Sequence, residues 1–488
     1  MKKFLVFILL INCCIVSANN NTLTFNLQQV VELAQQQSPD VLRARHSFRS
    51  SYWNYVYYKA NYLPSLTFNS TPIFNRMINP ITLSDGTSQF VQQNQLRSNA
   101  GFEIRQNIPL TGGNVFIRSS LERLDLFLHN THSYRSVPML VGYQQSLLGF
   151  NELKWDKKIE PLRYEEGKRR YVEALELVGT RAVSLFFNLA RAQTDLEIAQ
   201  TNLANADTLY VFAQGRYNIG TITENEMLQL EISKLMEESN RLEAQMQLDD
   251  SMDALRAFLG ITETLPIEVI VESEIPLISI DAERALTFGL ENSRDMLTME
   301  RRLQESESDV AQARANAGLR VDLYMQFGLA QIGSTIGSAY QNTLNQQYVE
   351  LGVRLPILDW GRGRGQVQMA RSNRDLVQTQ VEQDRINFEM NIQRLVKQFN
   401  LQSNQLIVAE KVAETAERRN EVARRLFMLG RSSILDLNAS IAEKDAAKRT
   451  YISTLFTYWQ LHYMIRSITL FDFEKNISIT EDYQLLIR

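Results

Sequence analysis

Few residues in this 488-residue chain are spaced to do chemistry. Gly361-x-Gly363-x-Gly365 resembles a loop whose backbone N–H groups could cradle a phosphate at a helix start. A dinucleotide loop needs its third glycine one residue later and a parallel strand–helix–strand unit around it, and this stretch has neither. It reads instead as a strand-to-helix turn that carries Arg362 and Arg364. The four histidines, His46, His129, His132 and His462, follow no metal-ligand spacing. Carboxylates are scattered over helix faces, and no nucleophile is paired with a base. No enzyme, cofactor or metal is expected.

The N-terminus names a compartment. Lys2 and Lys3 precede an apolar run from Phe4 to Ile11, and Val16-Ser17-Ala18 supplies small residues for cleavage. Residues 1–18 therefore read as a secretory signal peptide. The only cysteines, Cys13 and Cys14, lie inside it, so the mature chain has no disulfide or thiolate metal site. An acyl anchor on Cys13 or Cys14 is disfavoured, because Asn12 is not a small residue. Lys and Arg total 51 against 55 Asp and Glu, a near balance that does not suggest a nucleic-acid partner. No mature segment has the apolar length of a transmembrane helix. Membrane-crossing strands carry a weaker signal and stay open.

An internal repeat organises the rest. Tyr217-Asn218-Ile219-Gly220 and Phe427-Met428-Leu429-Gly430 match at an offset of 210, as do Gly142 with Gly352, Leu148 with Leu358 and Phe150 with Trp360. Nearer the start the offset is 255: Ser38 and Asp40 meet Ser293 and Asp295, and Lys59-Ala60-Asn61 meets Arg314-Ala315-Asn316. The first half thus carries 45 extra residues between Asn61 and Gly142. The reading is a first repeat at 19–260, a linker at 261–281 containing Pro266 and Pro276, a second repeat at 282–470 and a tail at 471–488.

Long helices dominate each repeat. From Arg362 to Met428 no proline intervenes; Val381, Phe388 and Leu395 recur every seven residues, as do Ile392, Phe399, Leu406 and Ala413. The first half repeats this with Tyr171, Val178 and Leu185, and with Ala182, Leu189, Leu196 and Leu203. A sustained seven-residue period is the coiled-coil pattern. A helix of that length spans about 100 Å, so an elongated molecule is expected. Pro161 falls early in the first long helix, in its first turn or at a kink. Shorter helices are expected over 27–62, 282–317, 223–258 and 433–467.

Strands lie between the helices. Leu319, Val321, Leu323, Met325, Phe327 and Leu329 alternate with Arg320, Asp322, Tyr324, Gln326 and Gly328. Val349, Leu351, Val353, Leu355 and Ile357 alternate with Glu350, Gly352 and Arg354. Strands of about ten residues with one apolar and one wet face suit an outer membrane. The polar loop at 331–347 would face outside. First-half counterparts are Leu66–Ser70 and the less regular Met139–Leu148, where Gln145 interrupts the apolar face. A further hairpin, Phe102–Leu110 and Val115–Leu124 around Thr111-Gly112-Gly113, either extends the sheet or folds as a loop. Four or six strands cannot close a membrane barrel, whose usual minimum is eight, so copies of the chain must share one.

The leader, the duplicated halves, the paired strands, the heptad helices and the Tyr/Phe-x-x-Gly turns together resemble the TolC-like outer-membrane efflux and secretion channels over essentially the whole mature chain. The resemblance implies a mainly α protein with membrane β-strands: three duplicated protomers forming an α-helical periplasmic tunnel and one transmembrane β-barrel. It implies a periplasmic adaptor and an inner-membrane transporter as partners, and an outer-membrane location. It places Tyr217, Gly220, Phe427 and Gly430 at an adaptor-docking tip. Glu226, Arg431 and Asp436 become candidate gate residues. Phe150 and Trp360 fit an interfacial aromatic girdle. The implied function is a passive exit duct for small molecules or proteins. A structural or adhesive coiled-coil protein with a β anchor is the rival, but a stalk needs no second strand pair at the same point of a repeat. A lone porin does not fit so helical a chain.

Overall fold

The computed structural model describes residues 22–487 apart from 83, 273–275, 277, 430 and 433, and of residues 81, 427, 428 and 434 the backbone alone. The leader with Cys13 and Cys14, Gly430, and the side chain of Phe427 lie outside the described residues. The chain opens with β1 (Leu23–Phe25), α1 (Leu27–Gln37) and α2 (Pro39–Ala60). Four strands follow, β2 (Ser65–Thr82), β3 (Ser88–Ile108), β4 (Gly113–Leu126) and β5 (Thr131–Ser146), then α3 (Glu152–Asn218) and α4 (Glu224–Leu259). β6 (Ile267–Val269) lies in the linker. Next come α5 (Ala282–Asn292), α6 (Arg294–Ala317), β7 (Arg320–Gly333), α7 (Ile336–Ala339), β8 (Leu344–Arg354), α8 (Arg362–Met428) and α9 (Ile434–Thr469). β9 (Phe471–Asp472), β10 (Ile477–Ser478) and α10 (Tyr483–Ile487) complete it.

The long helices α3 and α8 are each 67 residues, and α4 and α9 are each 36. The helices expected over 27–62 and 282–317 are each broken in two. Ser38 and Ser293 separate the pieces with extended backbone, ψ 148° and 147°. Pro39 disfavours helix at the residue before it. In both places the serine Oγ accepts from the next helix, from Val41 N–H and Met296 N–H, and so caps it. Pro161 sits in the third turn of α3, deeper than the first turn, and the helix continues past it.

The chain forms two compact units, and each draws on both halves of the sequence. One contains the residues up to Arg49, Lys168–Met296 and Ile386 onward. Its core is built from the heptad stripes: Tyr171, Val178, Ala182 and Leu189 of α3 are buried, as are Ile392, Phe399 and Leu406 of α8. Leu455, Tyr458 and Ile465 of α9 join them. Each of the Val, Leu, Ile and Phe side chains among them contributes roughly 1.5–3 kcal/mol by leaving water. β1 pairs parallel with β6, tying the N-terminal strand to the linker. Phe288 of α5 stacks on Phe471 at 3.9 Å and 6°, which seats the β9–β10 hairpin.

The other unit comprises Ser50–Gly167 and Leu297–Arg385. Its six strands form one antiparallel sheet in the order β2-β3-β4-β5-β7-β8. The extra hairpin of the first half therefore extends the sheet, as β3 and β4, rather than folding as a loop. The first-half strands are also longer than their alternation indicated: β2 and β3 run 18 and 21 residues. On the helical side Tyr55 stacks on Tyr164 at 4.5 Å, and Arg301 donates to the buried Glu166 at 2.6 Å. No helix among the described residues is long and apolar enough to cross a membrane.

In the first unit a buried charge cluster joins α3, α9 and β9. Arg466 donates to both oxygens of Glu176, at 2.7 and 3.1 Å, and to Asp472 at 2.6 Å. The two carboxylates are only 2 % and 3 % exposed. Removing the cation would leave two buried anions uncompensated, so Arg466→Ala is expected to destabilise the protein by about 3–5 kcal/mol. Denaturant unfolding of the detergent-extracted protein measures this; a loss below about 1 kcal/mol would show the carboxylates to be solvated.

Candidate functional site

Every strand of the sheet shows the same two-sidedness. Leu66 and Phe68 of β2 lie opposite Ile104 and Phe102 of β3, and Ile104 lies opposite Ile117 of β4. Ile117 is level with Val141 of β5, which pairs Phe327 of β7. Val321, Leu323 and Met325 of β7 face Val353, Leu351 and Val349 of β8. Most of these side chains are exposed, a continuous apolar face of the kind lipid would cover.

The opposite face carries charged and polar groups around a small apolar cluster of Phe116, Val137 and Leu140, and it is internally braced. Glu103 accepts from Arg105 at 2.7 Å and Arg118 at 2.6 Å, a cross-strand clamp on β3 and β4. Phe116 lies between those guanidinium groups, 5.8 and 5.3 Å from its ring, and stacks on Tyr324. It occupies the space above Gly142, where an added Cβ would come within 2.2 Å of the ring. Tyr348 donates to Glu350 at 2.7 Å further along the face. Gln145, the residue that interrupts the apolar alternation, is buried. Its amide donates to Thr111 and Ser146 carbonyls at 2.6 and 2.9 Å, which anchors the β3–β4 turn. No sequence motif marks this cluster; the matching glycines Gly142 and Gly352 were its only trace.

The strand-to-helix turn after β8 has a plain job. Asp359 accepts from Gly361 N–H at 2.9 Å and Gly363 N–H at 2.8 Å, capping α8. Those two donors hold its carboxyl below the usual range. Trp360 is 90 % exposed on a left-handed backbone, φ 55°, while its repeat partner Phe150 is half-buried.

At the α3–α4 turn Gly220 has φ +74°, and its N–H donates to Tyr217 O at 2.9 Å. Thr221 N–H donates to Arg216 O, and Arg431 N–H donates to Leu426 O at the matching place in the second half, both at 2.9 Å. Tyr217 is exposed. Glu226 closes a capping box: it accepts from Thr223 N–H at 2.8 Å while Thr223 Oγ1 accepts from Glu226 N–H. These bonds from Thr223 lower its pKa. Asp436 lies in the first turn of α9 and accepts from Ser432 Oγ at 3.4 Å. Among the described residues no ion pair joins Glu226 to Arg431.

One grouping went unseen in the sequence. His462 is buried on α9 against Phe399, Trp459 and Tyr463, and lies beside Asp472 and Glu474 of the tail. Burial and then the nearby Arg466 cation push its pKa down to about 4.

Residues 289–453 match the family model described as outer membrane efflux protein. The match covers about a third of the chain. It runs from α5 into α9 and includes the β7–β8 hairpin and the whole of α8, and the first half lies outside it. Among solved structures, the Campylobacter jejuni CmeC outer membrane channel is similar at 15 % identity and a TM-score of 0.65, over 94 % of this chain and 88 % of that one. CusC is similar at 14 % identity and 0.63, over 93 % and 95 %. The open state of the Neisseria gonorrhoeae MtrE outer membrane channel is similar at 14 % and 0.60, over 96 % and 94 %. The fold is therefore that of the TolC-like channels across nearly the whole chain. None of the curated proteins matches it.

Two outcomes are expected. Gly142→Val drives Phe116 out of its place, costing about 1–3 kcal/mol, and Phe116→Ala in the same chain recovers much of it. Heat stability of the extracted protein reads both, and additive losses would show no packing between the two positions. Gly220→Val forces a branched side chain into the left-handed region at a cost of about 1–2 kcal/mol. Amide exchange should rise at the α3–α4 turn and stay unchanged in the sheet.

Proposed function

We propose that this chain is one subunit of an outer-membrane exit duct that passes small molecules or proteins from the periplasm to the exterior. The observation that carries this is the six-stranded sheet. It has an apolar outer face, and its end strands β2 and β8 each have one sheet neighbour among the described residues. In lipid each unpaired backbone group on those edges costs several kcal/mol, so β2 of one copy must pair with β8 of the next. Three copies, the number the family uses, would give an eighteen-stranded barrel, a size that leaves an aqueous channel. The polar face of the sheet, with Glu103, Arg105 and Arg118, then lines the pore. The repeat at 19–260 and the repeat at 282–470, joined by 261–281, supply the two helical hairpins of each subunit.

A second feature supports assembly. Leu228, Ile232, Leu235, Leu242 and Met246 form an exposed apolar seam at heptad spacing along α4. Such a seam is normally covered by another helix. At the turns, Tyr217, Gly220, Phe427 and Gly430 dock a periplasmic adaptor, which connects the duct to an inner-membrane transporter. Glu226, Arg431 and Asp436 line the aperture beside them. The capping role of Glu226 means that it works through helix geometry as well as charge. Phe150 and Trp360 sit at the membrane boundary.

Mass measurement of the detergent-extracted protein tests the assembly, with three chains per particle expected. Leu235→Glu combined with Leu242→Glu should lower that number while leaving the sheet folded. A compact single-chain particle would reject the duct. Cysteines placed at Tyr217 and Ile219 should crosslink to a co-expressed adaptor; crosslinks only at other positions would move the docking site away from the turns.

A further inference from the structure

We propose that His462, Asp472 and Glu474 form a divalent-metal site, where the chain doubles back after α9, suited to a first-row transition ion. The imidazole nitrogen and the two carboxylate oxygens all lie within 4.8 Å of one another. An ion among them would sit at most about 2.8 Å from each, and a contraction of roughly half an ångström reaches the 2.0–2.2 Å of ordinary bonds to nitrogen and oxygen. One imidazole with two carboxylates suits zinc, cobalt or nickel better than calcium, which prefers oxygen alone.

His462 carries the argument furthest. It is 2 % exposed, and no hydrogen bond reaches its ring among the described residues. Its neighbours there are aromatic: Phe399, Trp459 and Tyr463 lie 6.2, 5.5 and 5.5 Å away between ring centroids. A buried imidazole normally has a polar partner, and the only group of ligating atoms gathered at this one is the Asp472–Glu474 pair.

The carboxylate side is already held in place. Leu470, with φ 49°, ends α9 in a left-handed turn, and Asn476, with φ 58°, turns the β9–β10 hairpin. Asp472 Oδ1 accepts from Glu474 N–H at 2.9 Å and Lys475 N–H at 3.0 Å, and Oδ2 accepts from Arg466 at 2.6 Å. A carboxylate offers about four lone-pair directions, so one remains for an ion, and the other bonds fix its orientation as outer-sphere partners do. Glu474 is exposed and leaves a route in from solvent. The charge balance also favours a cation. Glu176 and Asp472 share the guanidinium of Arg466, which is bidentate on Glu176, and Glu474 adds a further carboxylate beside Asp472.

Co2+ alone, titrated into the full-length detergent-extracted protein after chelator treatment, tests the site. Calorimetry should show one Co2+ per chain, and tryptophan fluorescence should fall because Trp459 touches His462. Trp459→Phe should remove most of the quenching and keep the stoichiometry. Glu474→Gln should weaken binding at least tenfold with no change in unfolding midpoint. His462→Gln should abolish it. Because Glu474 is exposed, its variant decides the matter even if His462→Gln fails to fold. Absence of Co2+ uptake by the parent protein, or undiminished binding by Glu474→Gln, overturns the proposal.

Discussion

Backbone hydrogen bonding without water is the constraint on which the membrane end of this protein turns. A sheet edge in lipid has nothing to bond to except another strand. Among the described residues the six strands pair in one unbroken order, and β2 and β8 each have a neighbour on one side only. In the proposed duct a second copy covers those edges, and the apolar outer face suits lipid. The proposed shared barrel follows from those two facts more directly than from any single motif.

The interior of the chain handles charge in the same spirit. Its buried ions are held in clusters with several bonds each: Arg466 between Glu176 and Asp472, Arg301 on Glu166, and Glu103 between two arginines across β3 and β4. Buried pairs add little net stability compared with apolar packing, but breaking one is expensive. They therefore work as registration devices. Two of them tie elements distant in sequence, α3 to α9 and β9, and α3 to α6, and the third braces the neighbouring strands β3 and β4.

The two halves of the chain differ more in their strands than in their helices. Helices α3 and α8, and α4 and α9, keep equal lengths, and the turn bonds at Thr221 and Arg431 keep the same pattern. The strand region does not. The first half has two additional strands, and its β2 and β3 outrun β7 and β8. Helix length in a packed bundle is set by the neighbours it must match, whereas strands at the end of a sheet can be added in pairs through a short turn.

What the sequence alone determined was everything written in local periodicity. The seven-residue stripes through Phe399 and Leu189 specified long packed helices, because a helix must bury whichever side repeats apolar residues. The strict alternation from Leu319 to Leu329 specified a two-faced strand, because successive side chains point to opposite sides. Only the tertiary structure decided what depends on partners far apart in the chain. The hairpin of β3 and β4 joins the sheet because its backbone finds β2 on one side and β5 on the other, which no spacing encodes. Gln145, an apparent flaw in an apolar strand, is an anchor for a turn that arrives 34 residues earlier. His462 meets Asp472 and Glu474 because a left-handed residue at the end of α9 reverses the chain, and ligand spacing in sequence says nothing about such a reversal.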